Sequence, residues 1–346
     1  MKKTQIALAA VALVASSAAL ADVTLYGTVD AAVEQSTGNG TYLNGAGGFV
    51  AGNNFGIKAS EDLGSGLKAN VTLQQGFNLN QGTPDNGGGG ATVSGSGNVT
   101  NVAGTNFNQV ASVGLSGDFG TITLGQQLSP FIATMAGGTA GNGNFFVNAI
   151  ILGGSAAGGG ANQAGGFFVP NAMSYTSPSI GGFTASVLTS SNMNPLSGAV
   201  TSDATNKYTA GSLSTSFGAI NIGLAADERS TVNRNVAGTL STSFGDIGIA
   251  ATMRSFKDTA ANTSFSSYSG SVSYNVSEAL TIAAQYASGN DQSVSNAHAK
   301  YALSKSTFVY ASAGRATGGA QSSYLLRGVT TSDNNTVTSL GVVKSF

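Results

Sequence analysis

Short segments in which apolar and polar residues alternate recur along nearly the whole of this 346-residue chain. In residues 53–60 and 67–77, Phe55, Ile57 and Ala59 and then Leu67, Ala69, Val71 and Leu73 alternate with polar residues or glycine, and a Gly-rich polar turn separates the two runs. Because successive side chains of a β-strand point to opposite faces, this pattern predicts a β-hairpin with one apolar face. The pattern repeats and predicts sixteen strands, at residues 23–34, 53–60, 67–77, 107–116, 120–127, 171–177, 182–190, 206–217, 219–227, 234–244, 246–255, 265–277, 279–287, 293–304, 306–315 and 337–346.

The connections between the predicted strands are of two kinds. Turns of a few residues alternate with long Gly-, Asn- and Ser-rich segments such as 78–106 and 128–170. An even number of antiparallel strands can close without free edges, and short turns at one rim with long loops at the other are typical of outer-membrane barrels. The sequence therefore predicts an all-β fold, a 16-stranded antiparallel transmembrane β-barrel with short periplasmic turns and long extracellular loops. A soluble β-sandwich would show the same alternation and is the alternative on periodicity alone.

The composition favours the membrane barrel. Charged residues make up 8% of the chain, against roughly 25% in soluble domains. The alternation argues against a disordered Gly- and Ser-rich chain, and the absence of cysteine excludes disulfides and thiolate metal sites. The chain has no excess of basic residues, so its charge does not suggest a nucleic-acid partner. In a barrel of this size the lumen is too wide for side chains to fill, so we expect it to hold water.

The N-terminal residues have the pattern of a secretory signal peptide. Lys2 and Lys3 precede an apolar stretch at residues 6–15, which is too short to span a bilayer, and Ala19-Leu20-Ala21 fits a cleavage site. We expect residues 1–21 to be cleaved and residues 22–346 to form the barrel. Removing Lys2 and Lys3 leaves 12 basic residues against 15 acidic ones, a net charge of −3.

Several stretches in order along the chain resemble the general porins of Gram-negative bacteria, in particular their β-proteobacterial branch. They are "DVTLYGTVDAAVE", "FGIKASEDLGSGLKANVTLQQGF", "VGLSGDFGTITLGQQ", "SYTSPSIGGFTAS" and the C-terminal Phe346. The resemblance implies a homotrimer in the bacterial outer membrane, in contact with its lipids and lipopolysaccharide. Each barrel would be a water-filled channel for passive diffusion of ions and small hydrophilic solutes. Residues 128–170 would fold into the lumen as the constriction loop.

The chain departs from this family in the charges expected around the constriction. Residues 128–170 contain no Asp, Glu, Lys or Arg. The family commonly has arginine where this chain has Asn54, Asn108 and Ser174. We therefore expect a weak transverse field, with Lys58 and Lys68 as the cationic wall and Asp30 and Glu34 as anionic counterparts on the inward phase of the first strand. The aromatic residues of the loop, which either shape an apolar eyelet or pack the loop against the wall, are Phe131, Phe145, Phe146, Phe167 and Phe168.

Other functions remain open at this point. The uncharged loop is compatible with a channel selective for an uncharged solute, and a plugged structural or adhesive barrel is a further alternative. An enzyme would need a catalytic site, and His298 is the only histidine of the chain. A lone histidine facing a wet lumen is more often solvated than catalytic. We predict no enzymatic activity, no metal site and no cofactor.

Overall fold

The computed structural model describes residues 22–37, 40–44, 52–80, 82–84, 91–93, 99–101, 106–140, 167–191, 207–230, 232–259, 262–289, 292–317 and 334–346. Nearly all of them lie in β-strands, as the alternation predicted. The predicted signal peptide, residues 1–21, lies outside the described residues. The elements are β1 (Asp22–Ser36), β2 (Gly40–Asn44), β3 (Asn54–Gly64), β4 (Leu67–Asn78), β5 (Thr83–Pro84), β6 (Ala91–Val93), β7 (Val99–Asn101), β8 (Val110–Gly117), β9 (Gly120–Leu128), α1 (Pro130–Ala136), β10 (Phe168–Thr176), β11 (Phe183–Ser190), β12 (Tyr208–Phe217), β13 (Ile220–Arg229), β14 (Asn233–Phe244), β15 (Ile247–Asp258), β16 (Thr263–Asn275), β17 (Leu280–Gly289), β18 (Gln292–Ser304), β19 (Thr307–Thr317) and β20 (Asn334–Ser345).

Strands β1, β3, β4 and β8–β20 form a closed 16-strand antiparallel barrel. Each strand pairs with its neighbour in this order, and β1 closes the barrel by pairing with β20 from Thr28↔Ser345 to Ser36↔Val337. The seam ends at the C-terminal residue, where the Gly27 N–H donates to the Phe346 carbonyl at 3.0 Å and the Phe346 N–H donates back at 3.1 Å. Closure leaves no sheet edge unpaired, which a strand in hydrocarbon requires. The predicted fold is therefore confirmed.

The apolar row of each strand points outward and the polar row points inward. In the first hairpin Ile57 and Val71 are exposed on the outer face. On the inner face the Asn70 side chain accepts a hydrogen bond from the Ser60 hydroxyl at 3.0 Å and donates to the Ser116 hydroxyl at 2.9 Å. This arrangement is that of a membrane barrel rather than a soluble sandwich, which would bury its apolar row. Tyrosine and phenylalanine side chains exposed on the outer face include Tyr175, Phe183, Tyr268, Tyr286 and Tyr301.

The rim with the long loops is less uniform than predicted. Three of its connections are short, because β13 and β14, β15 and β16, and β17 and β18 are joined by residues 230–232, 259–262 and 290–291. Strand β2, which was not predicted, pairs with the end of β1 at this rim, from Ala32↔Asn44 to Ser36↔Gly40. The connection between β9 and β10 spans residues 129–167 rather than 128–170, because Phe168 already begins β10. In the described part of the chain, no helix has the length and apolarity to cross a bilayer.

Candidate functional site

The first part of the β9–β10 connection, residues 129–140, lies inside the barrel, and we call it the inward segment. It begins with a capped helix, since the Ser129 hydroxyl accepts a hydrogen bond from the Phe131 N–H and Pro130 occupies the first helical turn. A serine before a proline is a favourable helix start, because the hydroxyl satisfies a free N–H and proline has none to satisfy. The local sequence "SPFIATMA" therefore specifies α1 directly after β9.

The inward segment crosses the inner wall from β12 to β16. Thr134 of α1 packs closely on Gly223 of β13, where a Cβ atom would lie 2.8 Å from the threonine methyl group. Gly138 lies against Thr252 of β15, whose hydroxyl donates to the Gly138 carbonyl at 3.4 Å. The Ala140 N–H then donates to the Ser271 hydroxyl of β16 at 2.9 Å. Small residues on both sides of these contacts let the segment follow the wall closely.

One face of α1 is buried against the wall. Phe131, Ile132 and Met135 are at most 2% exposed and form a cluster with Leu188 of β11 and Tyr208 of β12. Phe131 therefore secures the segment to the wall instead of lining an apolar eyelet. Burying side chains of this size contributes about 1.5–3 kcal/mol each.

Of the other predicted loop aromatics, Phe167 is partly buried against the same cluster, and its carbonyl accepts a hydrogen bond from the Ser129 N–H at 3.0 Å. This bond joins the two ends of the connection at its base. Phe168 belongs to β10 and is half-buried. Phe145 and Phe146 lie outside the described residues.

A chain of buried hydrogen bonds anchors the start of the inward segment to the barrel, and we call it the anchor network. The Tyr208 hydroxyl donates to the Asp227 carboxylate at 3.0 Å, so in its 2.7 Å contact with Ser129 it accepts from the serine hydroxyl. The other carboxylate oxygen accepts from the Asn235 amide at 2.6 Å, and the Asn235 carbonyl accepts from the Arg254 guanidinium at 2.6 and 2.8 Å. The asparagine thus links a buried anion to a buried cation, which lowers the cost of burying both charges.

Sequence reasoning missed this network. The segment "ADERSTVNR" concentrates charges and reads as a loop tip, but Asp227 and Arg229 lie on β13 and are buried on its inner face. Glu228 points to the outer face and is exposed. The available signal for this burial was the two-residue alternation along the strand. It places Leu224 and Glu228 on one face and Asp227 and Arg229 on the other.

Lys58 lies on β3, on the wall opposite the strands that carry α1. Its ammonium group is 4.6 Å from the centroid of the Tyr26 ring, a distance typical of a cation–π contact. The Tyr26 hydroxyl donates to the side-chain carbonyl of Gln74 at 2.8 Å, and the side-chain amide of Gln74 donates to the side-chain carbonyl of Gln109 at 2.5 Å. Around Lys58 this wall therefore presents uncharged amide groups beside the exposed cation.

The remaining predicted wall residues have different surroundings. Lys68 is exposed near the turn of the first hairpin, where Asp62 is its cross-strand partner. Asn54 is half-buried, and its amide donates to the Gly52 carbonyl at 3.0 Å. Ser174 is half-buried on β10, and its hydroxyl donates to the Gln127 side chain.

Asn108 differs from its predicted place on the open pore wall, because it is buried in the irregular stretch just before β8. Its side-chain carbonyl accepts from the Gly76 N–H at 2.8 Å, and its amide donates to the Gly76 carbonyl at 3.4 Å. It therefore closes the β4–β8 pairing instead of facing the water of the lumen.

Asp30 and Glu34 lie on the inward face of β1, as predicted, but both are 0% exposed. The Tyr310 hydroxyl donates to Asp30 at 2.9 Å. Glu34 accepts from the Tyr42 hydroxyl at 3.0 Å and from the Ser339 hydroxyl at 3.2 Å. The expectation of exposed anionic counterparts is thus corrected, since these neutral donors replace the water that would solvate a lining carboxylate.

His298 is buried on the inner face of β18 next to Asn296, whose carbonyl is 3.5 Å from the imidazole Nδ1. Ser312 is its cross-strand partner on β19, and the Ser312 hydroxyl has no hydrogen-bond partner among the described residues. A serine nucleophile needs a base within hydrogen-bond reach, so these two residues do not form a catalytic pair. Within the described ranges, no group of three or more His, Cys, Asp or Glu side chains could hold a metal.

The comparison with solved structures agrees with this geometry. The anion-selective porin from Comamonas acidovorans superposes with a TM-score of 0.71 at 22% identity, covering 94% of this chain and 100% of that one. The trimer form of OmpT from Vibrio cholerae superposes with a TM-score of 0.63 at 12% identity, covering 94% of this chain and 99% of that one. At these identities the matches support the fold alone.

Curated relatives cover a shorter region. Outer membrane porin protein 32 of Delftia acidovorans is 33% identical over 199 residues, which are 54% of this chain and 48% of the relative. The major outer membrane protein P.IB of Neisseria gonorrhoeae is 35% identical over 199 residues, 54% of this chain and 47% of the relative. The matched region thus spans about half the length of these relatives. The model of the Gram-negative porin family matches residues 7–321 of this chain. Together with the closed 16-strand barrel, this match establishes that the chain belongs to the Gram-negative porin family.

Proposed function

We propose that this protein is an outer-membrane porin, a water-filled channel through which ions and small hydrophilic solutes diffuse passively. The observation that carries the proposal is the inward segment, which packs against one side of a closed barrel, from β12 to β16, while Lys58 lies on the opposite wall. A barrel of this strand number leaves an aqueous lumen, and residues 129–140, held to one wall, narrow it. The curated relatives are named as outer-membrane proteins, which supports the localisation.

Residues 129–167 would then act as the constriction loop, and the mature chain would begin at Asp22. Selection would depend on the width of the opening and on the charges next to it, because exposed charges separated by more than about 8 Å are largely screened at physiological ionic strength. No covalent chemistry is required, so we propose no enzymatic activity and no cofactor. We also propose a homotrimer, as in the trimer form of OmpT.

We further propose a weak preference for anions. Lys58 is exposed on the inner wall, on β3, and Lys300 on β18 is half-buried. The inward carboxylates of Asp30, Glu34 and Asp227 are buried and hydrogen-bonded. Away from the two rims of the barrel, Lys58 and Lys300 are therefore the accessible charges of the described inner wall that a passing ion meets. The structurally similar Comamonas protein is named as anion-selective.

The test is a recording of the refolded mature chain in a planar bilayer under a KCl gradient. We expect stepwise openings and a small reversal potential with the sign of chloride selectivity. Openings with a reversal potential of the opposite sign would retain the channel and refute the preference for anions. A correctly folded barrel that gives no conductance steps would refute the channel and favour a plugged structural or adhesive barrel.

A further inference from the structure

A polar recess lies on the inner wall below the inward segment, and it has no role in the constriction just described. Its volume is about 410 Å³, within the roughly 300–1,000 Å³ range of small-molecule sites. Thr139 and Ala140 of the segment lie on one side of it, and Ala219, Gly245 and Asp246 of the short turns lie at its other end. Thr242 of β14 and Ile247, Gly248 and Ile249 of β15 also border it. The polar side chains of β13 to β18 that line its inner wall are Asn221, Ser241, Ser243, Ser273, Asn275, Thr281 and Lys300.

The lining consists mainly of hydroxyl and amide groups that retain hydrogen-bonding capacity. The Thr281 hydroxyl donates to the Asn275 carbonyl at 3.0 Å, which leaves both N–H donors of the Asn275 amide without a partner among the described residues. The side chains of Ser243 and Ser273 likewise make no hydrogen bond within the described part of the chain, and neither hydroxyl is cut off from solvent. Each hydroxyl both donates and accepts, and each amide offers two donors and an acceptor.

The recess has little net charge. Asp246 lies in the turn between β14 and β15 and is exposed. Lys300 is half-buried, and its ammonium group is 5.5 Å from the centroid of the Phe308 ring. One anion and one cation among these polar groups favour a neutral ligand, and apolar ligands would leave the hydroxyl and amide groups unpaired. Hydroxyl-rich solutes match this lining, because each of their hydroxyls can donate to one wall group and accept from another.

We infer that this recess is a binding subsite for a neutral polyhydroxylated solute of monosaccharide size. The inference rests on the proposed function, since the solute must enter through the open lumen. Among the described residues that line the recess none is aromatic, so the binding that we propose rests on hydrogen bonds to the wall. Such a subsite raises the local concentration of the solute below the constriction without retaining it, as conduction through a channel requires.

The experiment uses D-glucose as the probe and the full mature chain in planar bilayers and liposomes. The test variant combines Ser273→Ala with Thr281→Val and removes two hydroxyls of the recess at nearly constant volume. The control variant combines Ser112→Ala with Thr72→Val, which are cross-strand partners on the inner face of β8 and β4, away from the recess. Heat-modifiable migration on gels verifies that each variant is folded.

In the wild-type protein we expect glucose to lower the KCl conductance in a saturable way and glucose influx into liposomes to level off with concentration. Loss of two hydrogen-bonding groups should raise the half-saturating glucose concentration at least fivefold in the test variant and leave it unchanged in the control variant. Triethylene glycol, a linear solute with few hydroxyls, should not saturate.

Linear glucose influx through a channel with normal KCl conductance would overturn the subsite and leave the porin function intact. Equal half-saturation in the two variants, or equal saturation by triethylene glycol, would also overturn it. Absence of KCl conductance from the folded wild-type barrel would instead refute the channel itself, and the subsite with it.

Discussion

The anchor network makes a quantitative prediction about the substitution Tyr208→Phe. This change removes one hydroxyl from a site where Tyr208 is fully buried between Ser129 of the inward segment and Asp227 of the wall. Phenylalanine preserves the ring that packs on α1. The change therefore tests the hydrogen bonds rather than the apolar contacts.

The magnitude follows from the partners that lose the hydroxyl. Asp227 loses one donor to its buried carboxylate, and a hydrogen bond to a charged group contributes about 1.5–3 kcal/mol. Part of this loss destabilises the attachment of the segment to the wall, because Ser129 loses its acceptor at the same time. If the whole loss destabilises this attachment, the detached population of the segment rises roughly 10- to 150-fold, because each 1.4 kcal/mol is a factor of ten.

Hydrogen exchange measures this population directly. We expect the amide groups of residues 129–140 to exchange faster in Tyr208→Phe, by roughly 10- to 150-fold where the whole loss acts on the attachment, and we expect the single-channel current to become noisier. Exchange reports local opening, so strands far from the segment should keep their rates.

A matched control is available on the opposite side of the barrel. Tyr310→Phe also removes a buried tyrosine hydroxyl that donates to a buried aspartate, Asp30. Tyr310 lies on β19, whereas α1 packs on β11 to β14. It should lower the stability of the barrel by a similar amount and leave exchange at 129–140 unchanged. Equal exchange at 129–140 in wild type and Tyr208→Phe would refute the anchoring role of the network.

Three further predictions follow from close contacts and exposed charges. Gly138→Ala places a Cβ atom 1.9 Å from the Thr252 hydroxyl, so the segment should move toward the lumen and lower the single-channel conductance, whereas Gly270→Ala, which meets nothing within 4 Å, should not. Gly27→Ala places a Cβ atom 2.5 Å from the Phe346 ring and 2.7 Å from the Asn54 carbonyl. We expect this overpacking to lower the free energy of unfolding by about 1–3 kcal/mol, measured by urea unfolding in detergent with Gly270→Ala as the control. Lys58→Gln should move the reversal potential toward zero in a KCl gradient, while Lys344→Gln, on the outer face, should leave it unchanged; a shift in both or in neither would contradict the role of Lys58.

The fold was predictable because one local rule, the alternation of apolar and polar residues, holds along the barrel strands. Strands β15 to β19 alternate without interruption, and the predicted boundaries there differ from the observed ones by three residues or fewer. The rule says nothing about connections, so β2 and the short extracellular turns were not foreseen. It also cannot locate Asn108, because this residue lies in an irregular stretch before β8.

The site was less predictable, because alternation gives the face of a side chain and not its neighbours. Asp30 and Glu34 were correctly placed on the inward face, yet their burial depends on Tyr310 and Ser339, about 280 and 305 residues away along the chain. For Asp227 the alternation indicated the inward face, but it could not indicate the link through Asn235 to Arg254, which lies on the second strand after it. Such long-range partners are set by the register of the closed sheet, which no single segment of the sequence contains.

The distribution of charge separates two properties of the proposed channel, the width of its opening and its ion selectivity. Residues 129–140 carry no charge, so their position depends on the packing of Phe131 and Met135, on the Ser129 cap and on buried hydrogen bonds. Salt screens exposed charges and hardly affects apolar contacts or buried hydrogen bonds. The width of the opening should therefore be the same at low and high ionic strength. Ion selectivity, which depends on exposed lysines such as Lys58, should fall as salt is added, and the two properties can be altered by different substitutions.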